Sequence, residues 1–347
     1  MKKRRHLGLW LFIVLLLAPM AYYGFSMYGP LRLPHPQTQV AVTLGSSAEH
    51  SMAILTKAGI IQYPRVFRLA WMLAGRPGLQ AGLYVFRGRT NQASVLHRLI
   101  QGQSTPLNVL IVPGWTLSMV MQQLRKKSPY LRVQDLPLEA RRSDALFKAG
   151  IGNKKSAEGW LFPDTYRYVP GTSAISVLRR AYLRMNRNLG RLWKHRASGL
   201  PLDDPYQALI LASIVQKEGA PPAQQARIAA IFLNRLRQGM PLQSDPTIIY
   251  ALGSRYTGKL IPSEMQIKSP YNTYIHKGLP PTPIAMPGLS SLMAVLHPAH
   301  SEDLYFIAQG TAYHYSATYA EHIEQIHRYL QPPKNPPQDV SQKAHHA

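Results

Sequence analysis

Leu209-Ile-Leu-Ala-Ser-Ile-Val-Gln-Lys-Glu-Gly219 is an apolar run that ends in a carboxylate and a glycine. Its apolar residues recur at helical spacing. Leu211, Ile214, Val215 and Glu218 fall on one face, because side chains three, four and seven residues apart stack on the same side of a helix. Gln216 and Lys217 project elsewhere. An acid on an apolar stripe loses hydration, which disfavours its charged form and raises its pKa. Gly219, with Pro221 and Pro222 behind it, should end the helix there, so the negative end of the helix dipole pushes the same way. The expected product is a carboxylic acid that keeps its proton near neutral pH and can give it to a leaving oxygen.

Around this stretch the pattern predicts helices over Ile175–Leu192, Tyr206–Glu218 and Ala223–Arg237, the last closed by Gly239. Asp245-Pro246 is a good N-cap and N1 pair for a short helix ending at Gly253. Leu304–Ala308 reads as a buried strand with its partner near Tyr313–Tyr315. These elements define a larger, mainly helical α+β domain over 158–330, followed by a tail rich in Pro, Gln and His (331–347) expected to be disordered. Upstream, Gln39–Leu44 alternates as a strand does, helices follow to Lys57 and over Arg65–Ala74, and Ala81–Phe86 returns as a strand. A further helix, Ser94–Ile100, closes a small α/β module at 39–105. The order strand, helix, helix, strand resembles the LysM module, which binds N-acetylglucosamine-containing glycans, although a module of this order without sugar affinity fits equally. Leu107–Val112 (strand) and Leu117–Lys126 (helix) begin a connecting region, 106–157, whose later part is mixed and charged. No internal repeat is present.

The chain opens on Lys2-Lys-Arg-Arg5 and then runs from Leu7 to Tyr28 without an Asp, Glu, Lys or Arg. About 20 apolar residues span a bilayer, and the basic cluster assigns residues 1–6 to the cytoplasm. A cleaved signal peptide has the same order of regions. The length of the run and the lack of a small-x-small site favour an uncleaved transmembrane helix at 7–28, with a proline-rich stalk (29–38) leading outward. Everything beyond would lie outside the cytoplasmic membrane, which in a two-membrane cell is the periplasm.

The formal charge of the 347 residues is +24, so the neighbouring surface is expected to be anionic. Nucleic acid is opposed by the membrane segment and by the lack of any recognised binding motif. Lipid head groups and wall polymers with free carboxylates suit the exported part better. Cysteine is absent, which removes disulfides, thiolate metal sites and cysteine nucleophiles together.

Several familiar motifs fail. Gly150-Ile-Gly-Asn-Lys-Lys-Ser156 does not have phosphate-loop spacing, and there is neither HExxH nor GxSxG. His297 and His300 are separated by Pro298, which spoils a helical ligand pair, so neither metal nor cofactor is expected. What remains is a set of polar and aromatic clusters on both sides of the Glu218 helix: Glu158–Tyr166 (EGWLFPDTY), Leu242–Tyr250 (LQSDPTIIY), Ser269–Tyr274 (SPYNTY) and the stiff loop Gly278–Gly288. Each alone reads as turn chemistry. Together they predict a cleft for a sugar chain, whose rings offer apolar faces and hydroxyl edges. Glu158, Gln243, Asp245, Thr247, Tyr271, Asn272, Thr273 and Tyr274 are the candidate lining residues.

The segments EGWLFPDTY, LASIVQKEGA, IFLNRLRQGMPLQSDPTIIYALG, SPYNTYIHKGLPPTPIAMPG and HPAHSEDLYFIAQG resemble the endolytic murein transglycosylases of the MltG (YceG-like) family. The likeness covers nearly all of the exported part. It implies a lytic transglycosylase cutting nascent peptidoglycan strands near the membrane, with wall synthases as partners. In that family the catalytic acid is the second glutamate of an E-K-E segment, which corresponds here to Glu218. Three positions depart from the family's pattern. Gln216 replaces the first glutamate, Gly219 stands where threonine is usual, and Pro113 replaces an acid before Gly114. Two other readings stay open: a muramidase that uses two carboxylates and water, with Glu158 or Asp245 as the second acid, and a wall-binding scaffold without catalysis.

Overall fold

The computed structural model describes residues 2–127, 129–137, 143–154 and 156–330, with no side-chain detail at 2–9, 11, 12, 143 and 144. The expected disordered tail, 331–347, lies outside the described residues. The chain is mixed α+β and divides into two compact units. One takes in residues to Leu110, Val120–Leu138 and Asp164–Arg180; the other holds Ile111–Met119, Glu139–Pro163 and everything from Ala181. The expected division at 106 and 158 is thus replaced by an interleaved one, because the chain passes between the units several times before settling in the second.

The first unit opens on α1 (Lys2–Tyr28) and continues with β1 (Gln37–Val42), α2 (Ala48–Lys57), α3 (Pro64–Leu73), β2 (Gly82–Arg87), α4 (Gln92–Gln101) and β3 (Leu107–Leu110). β1 and β2 pair antiparallel from Gln37 opposite Arg87 to Val42 opposite Gly82. The alternation of β1 turns Thr38, Val40 and Val42 inward, onto Leu55, Phe67, Phe86, Val95 and Leu99. Local chemistry sets the helix ends: Ser47 and Asn91 accept from the backbone N–H of His50 and Ser94, and Gly102 closes α4 in the left-handed conformation. The strand, helix, helix, strand order expected from the sequence is present.

Residues 29–38 differ from the expected stalk. Leu31 is buried with Met27 in the core of this unit, and its N–H donates to Thr90 O. Fully buried Gln92 ties down the end of α1 just before it. It accepts from the N–H of Gln62 and Tyr63 and donates to Ser26 O at 3.0 Å. The apolar N-terminal segment is helical, but part of the transmembrane expectation at 7–28 falls on side chains outside the described residues. Among the described residues no helix is long and apolar enough to cross a membrane.

Next come α5 (Leu117–Lys126), β4 (Leu131–Arg132), α6 (Ser143–Lys148), β5 (Thr165–Tyr168) and β6 (Thr172–Ser173). β3 pairs antiparallel with β5, and β4 makes a two-residue parallel pair with β6. The supposed connecting region therefore contributes strands to the first unit.

The second unit is built on α7 (Ala174–Lys194, whose first residues belong to the other unit), α8 (Pro205–Lys217), α9 (Pro222–Arg237), α10 (Asp245–Leu252) and α11 (Leu289–Leu296). The hairpin β7 (Tyr305–Gln309) and β8 (Ala312–Ser316) follows, then α12 (Tyr319–Tyr329). α8 packs on both α9 and α11. Every residue from Ala208 to Val215 is buried, so α8 is enclosed on all sides, and the single apolar stripe expected for it understates its burial. A helix apolar all round belongs in a core. Asp204 caps it by accepting from Gln207 N–H, and Pro205 occupies its first turn. Gly159, at φ 79°, packs so tightly on Pro283 that a Cβ would come within 2.5 Å of it, which brings the EGWLFP segment against the stiff loop ending at Gly288.

Candidate active site

α8 ends where the sequence requires. Glu218 is its C-cap, and Gly219, at φ 73°, turns the chain in the left-handed conformation. The Glu218 side chain enters a cavity of about 410 Å³ within the second unit. From α9 come Ile231, Phe232 and Arg235; from the following loop and the start of α10, Leu242, Gln243 and Asp245; Tyr274 reaches in from the SPYNTY turn. The remaining wall is Leu304, then Tyr305 and Phe306 of β7, with Tyr319 and His322 of α12.

Burial raises the Glu218 pKa from 4.5 to about 7. A hydrogen bond from Ser244 opposes the rise, and the charge of nearby Asp245 adds to it. Ser244 Oγ donates to Glu218 Oε1 at 2.6 Å. Ser244 is the N-cap of α10, one residue earlier than the expected Asp245, yet its hydroxyl makes no capping bond. That hydroxyl is committed to the acid instead. The backbone around it is pinned: Ser244 N–H donates to Thr273 Oγ1 at 3.0 Å, Thr247 Oγ1 donates to Ser244 O at 2.6 Å, and the two threonine hydroxyls are 2.9 Å apart.

The candidate lining residues therefore separate. Gln243, Asp245 and Tyr274 line the cavity with Glu218. The Tyr274 phenol donates to Asp245 Oδ1, and its own pKa is raised by burial and by that carboxylate. Thr247 and Thr273 lie behind the wall as the supports of Ser244. Asn272, fully buried, holds its turn by donating to Met265 O and Ile267 O and accepting from Tyr274 N–H. The Tyr271 hydroxyl meets that of Thr282 at 2.8 Å, and its ring packs on Tyr250. Glu158 is not brought to the cavity. Only 4% exposed, it accepts from Leu117 N–H at the start of α5 and from the Tyr250 hydroxyl, which makes it a helix-terminus acid.

Other residues of the site escaped the sequence reading. Arg235 is one. It donates from Nε to Leu304 O and from Nη1 to Pro241 O, Leu242 O and Gln243 Oε1. It thereby holds the loop in which Gln243 adopts φ 53°. Burial lowers its pKa. The α12 wall is another, and a signal for it was present: Thr318 and Glu321 form a reciprocal capping box. Ser244 sat unremarked between two named candidates. Among the described residues no group of three or more His, Asp or Glu is arranged to hold a metal.

A carboxylic acid with its pKa raised to about 7, fixed by one hydroxyl in an aromatic-walled cavity, is suited to acid–base chemistry. Comparison with known proteins narrows this class. The YceG-like family signature matches residues 40–328, and the chain belongs to that family. It is 27% identical over 326 residues to the endolytic murein transglycosylase of Bacillus subtilis, covering 89% of each chain. It is 28% identical over 333 residues to the endolytic murein transglycosylase of Streptococcus pneumoniae, covering 85% of this chain and 59% of that longer one. A crystal structure of a YceG-like protein from Listeria monocytogenes superposes with a TM-score of 0.55 at 28% identity, over 83% of this chain and 98% of the other.

Proposed function

We propose that this chain is an endolytic murein transglycosylase that cuts peptidoglycan strands between N-acetylmuramic acid and N-acetylglucosamine, with Glu218 as the sole acid–base group. The observation that carries the reading is the Glu218 carboxyl itself, protonated up to a pH of about 7 and fixed through Oε1 by Ser244 in the cavity. With Oε1 accepting, the acid proton is free on the other oxygen. Glu218 gives it to the glycosidic oxygen as the bond from that oxygen to the anomeric carbon breaks. The carboxylate so formed removes the proton of the C6 hydroxyl of the same muramic residue, whose oxygen closes on the anomeric carbon. The product is a 1,6-anhydro end, no water is consumed, and Glu218 is returned to its acid form. One group serves both steps because the nucleophile is tethered to the substrate.

The test is mass spectrometry of the fragments released from uncrosslinked glycan. Anhydro ends are expected from the wild type and none from Glu218→Gln. Cleavage by Glu218→Gln at the wild-type rate would overturn the assignment of Glu218, and no cleavage by the wild type would reduce the chain to a wall-binding scaffold. One observation favours a second reading: Asp245 lines the same cavity, so a two-carboxylate muramidase has both its groups in reach. Reducing ends in place of anhydro ends would establish it.

The basic cluster at 2–5 and the apolar run behind it support α1 as a single-pass anchor in the cytoplasmic membrane, with both units on its outer face. From there the site would meet strands as they are polymerised and limit their length, beside the synthases that make them. The strand, helix, helix, strand order of the first unit supports a LysM-like module. Retention of the full chain in washed membranes, and its release when 1–28 are removed, tests the anchor.

A further inference from the structure

The β7 and α12 wall of the cavity has no role in the acid–base chemistry, yet it is built as a binding surface. Tyr305 stacks on His322 at 4.9 Å and meets Tyr319 at 5.9 Å. Tyr319 is 63% exposed, which leaves much of its ring open to contact. Burial and the charge of Arg235 lower the pKa of His322, so the imidazole is a neutral ring at physiological pH. Beside this wall lies Arg235, only 6% exposed but lining the cavity, its guanidinium 4.9 Å from the Tyr305 ring centre. Its Nε and Nη1 are satisfied by three carbonyls and an amide oxygen. Its Nη2 has no hydrogen-bond acceptor among the described residues. The Nη2 end of this otherwise buried cation is left open to the cavity, where its two N–H donors can meet an acceptor.

We infer that Arg235, Tyr305, Tyr319 and His322 form a subsite for one 2-acetamido sugar of the strand, the aromatic rings covering the pyranose face and Arg235 Nη2 donating to the acetamido carbonyl oxygen. The acetamido carbonyl is the strongest neutral acceptor on such a glycan. A neutral acceptor suits the cavity better than an anion, since Asp245 shares the space. This inference rests on the glycan reading above, and its test is separable from the test of cleavage.

The full chain carrying Glu218→Gln is titrated calorimetrically with chitotetraose and with cellotetraose, which has a hydroxyl in place of each acetamido group. Chitotetraose is expected to bind roughly tenfold more tightly, the worth of one hydrogen bond to a charged donor. Adding Tyr319→Ala, a change at an exposed side chain, should weaken both sugars about fivefold through lost ring contact. Adding Arg235→Lys should abolish the preference for chitotetraose. Equal affinity for the two sugars, or chitotetraose binding unchanged by Tyr319→Ala, overturns the subsite. A sugar site in the first unit would give that second result. Anhydro products without sugar discrimination would refute the subsite alone, whereas discrimination without anhydro products would refute the reaction alone.

Discussion

Replacing Glu218 by glutamine should make the protein more stable, and only at high enough pH. Holding the carboxyl pKa at about 7 in place of 4.5 withholds about 3 kcal/mol from the folded state once the group is ionised, at about 1.4 kcal/mol per pH unit. The folded state binds this proton more tightly than the unfolded chain, so the native protein loses stability as pH rises from 4.5 through 7 and the loss levels off above. Glutamine never ionises, and its amide oxygen still accepts from Ser244 Oγ. The expected difference between Glu218→Gln and wild type is therefore near zero below pH 4.5, grows between pH 4.5 and 7, and reaches about 3 kcal/mol in favour of the variant by pH 8. Urea unfolding at half-unit pH steps measures it. A difference that does not vary with pH, or a variant less stable than wild type at pH 8, would refute the claim that burial keeps this acid protonated. The same proton sets activity: cleavage should fall on an alkaline limb with its midpoint near 7.

Ser244→Ala removes the donor that favours the charged form of Glu218, so the alkaline limb should move up by about one pH unit while the rate falls, read from a pH profile of anhydro-product release. Glu158→Gln should cost about 1–2 kcal/mol in urea unfolding by weakening the charge at the start of α5, and leave the pH profile of cleavage in place. Gln216→Glu should leave cleavage within about twofold of wild type, because Gln216 Oε1 alone accepts from Gly288 N–H and Ser291 Oγ at the start of α11, and a carboxylate can do the same. A large gain in rate would give position 216 a part in the chemistry.

The fold was most legible where one local signal sufficed. Helix lengths around α7, α8 and α9, the hairpin at β7 and β8, and the arrest of α8 at Gly219 follow from spacing, proline and glycine. So did the unusual acid, since the apolar approach to Glu218 and the helix terminus after it are neighbours in sequence. Gly219 also accounts for a departure from the family pattern: at φ 73° glycine is unstrained where the usual threonine would be strained. What was not legible depends on pairing over long separations. The strands β5 and β6 are too short to carry an alternation, and Leu31 looks like stalk until Gln92, some sixty residues on, is seen to bind its neighbourhood. Glu158 illustrates the limit within the site. Among aromatics it reads as a cleft acid, but its partners, Leu117 N–H and the Tyr250 hydroxyl, come from segments that no sequence pattern joins to it. Arg235 is masked for the opposite reason, since arginines abound in this chain and only burial distinguishes this one.

Two carboxyl groups share the cavity, yet their surroundings separate their tasks. Glu218 lies at the C-terminal end of an enclosed helix, among apolar side chains that keep it protonated. Asp245 is exposed, at the N-terminal end of α10, with one oxygen already accepting the Tyr274 phenol. Burial and Asp245 itself push the Tyr274 pKa up, so the phenol stays a donor across the working range and that oxygen stays occupied. A retaining hydrolase needs its second carboxylate free to attack the sugar, and an inverting one needs it free to activate water. A pinned Asp245 suits neither, but its charge adds to the burial that raises the Glu218 pKa and can balance the positive charge that builds on the anomeric carbon as the bond breaks. On the proposed reading the C6 hydroxyl needs no further base, since the first step itself creates the Glu218 carboxylate. On the proposed reading a site with two acids thus works as a single-acid site, and Asp245→Asn should slow cleavage without changing the anhydro product.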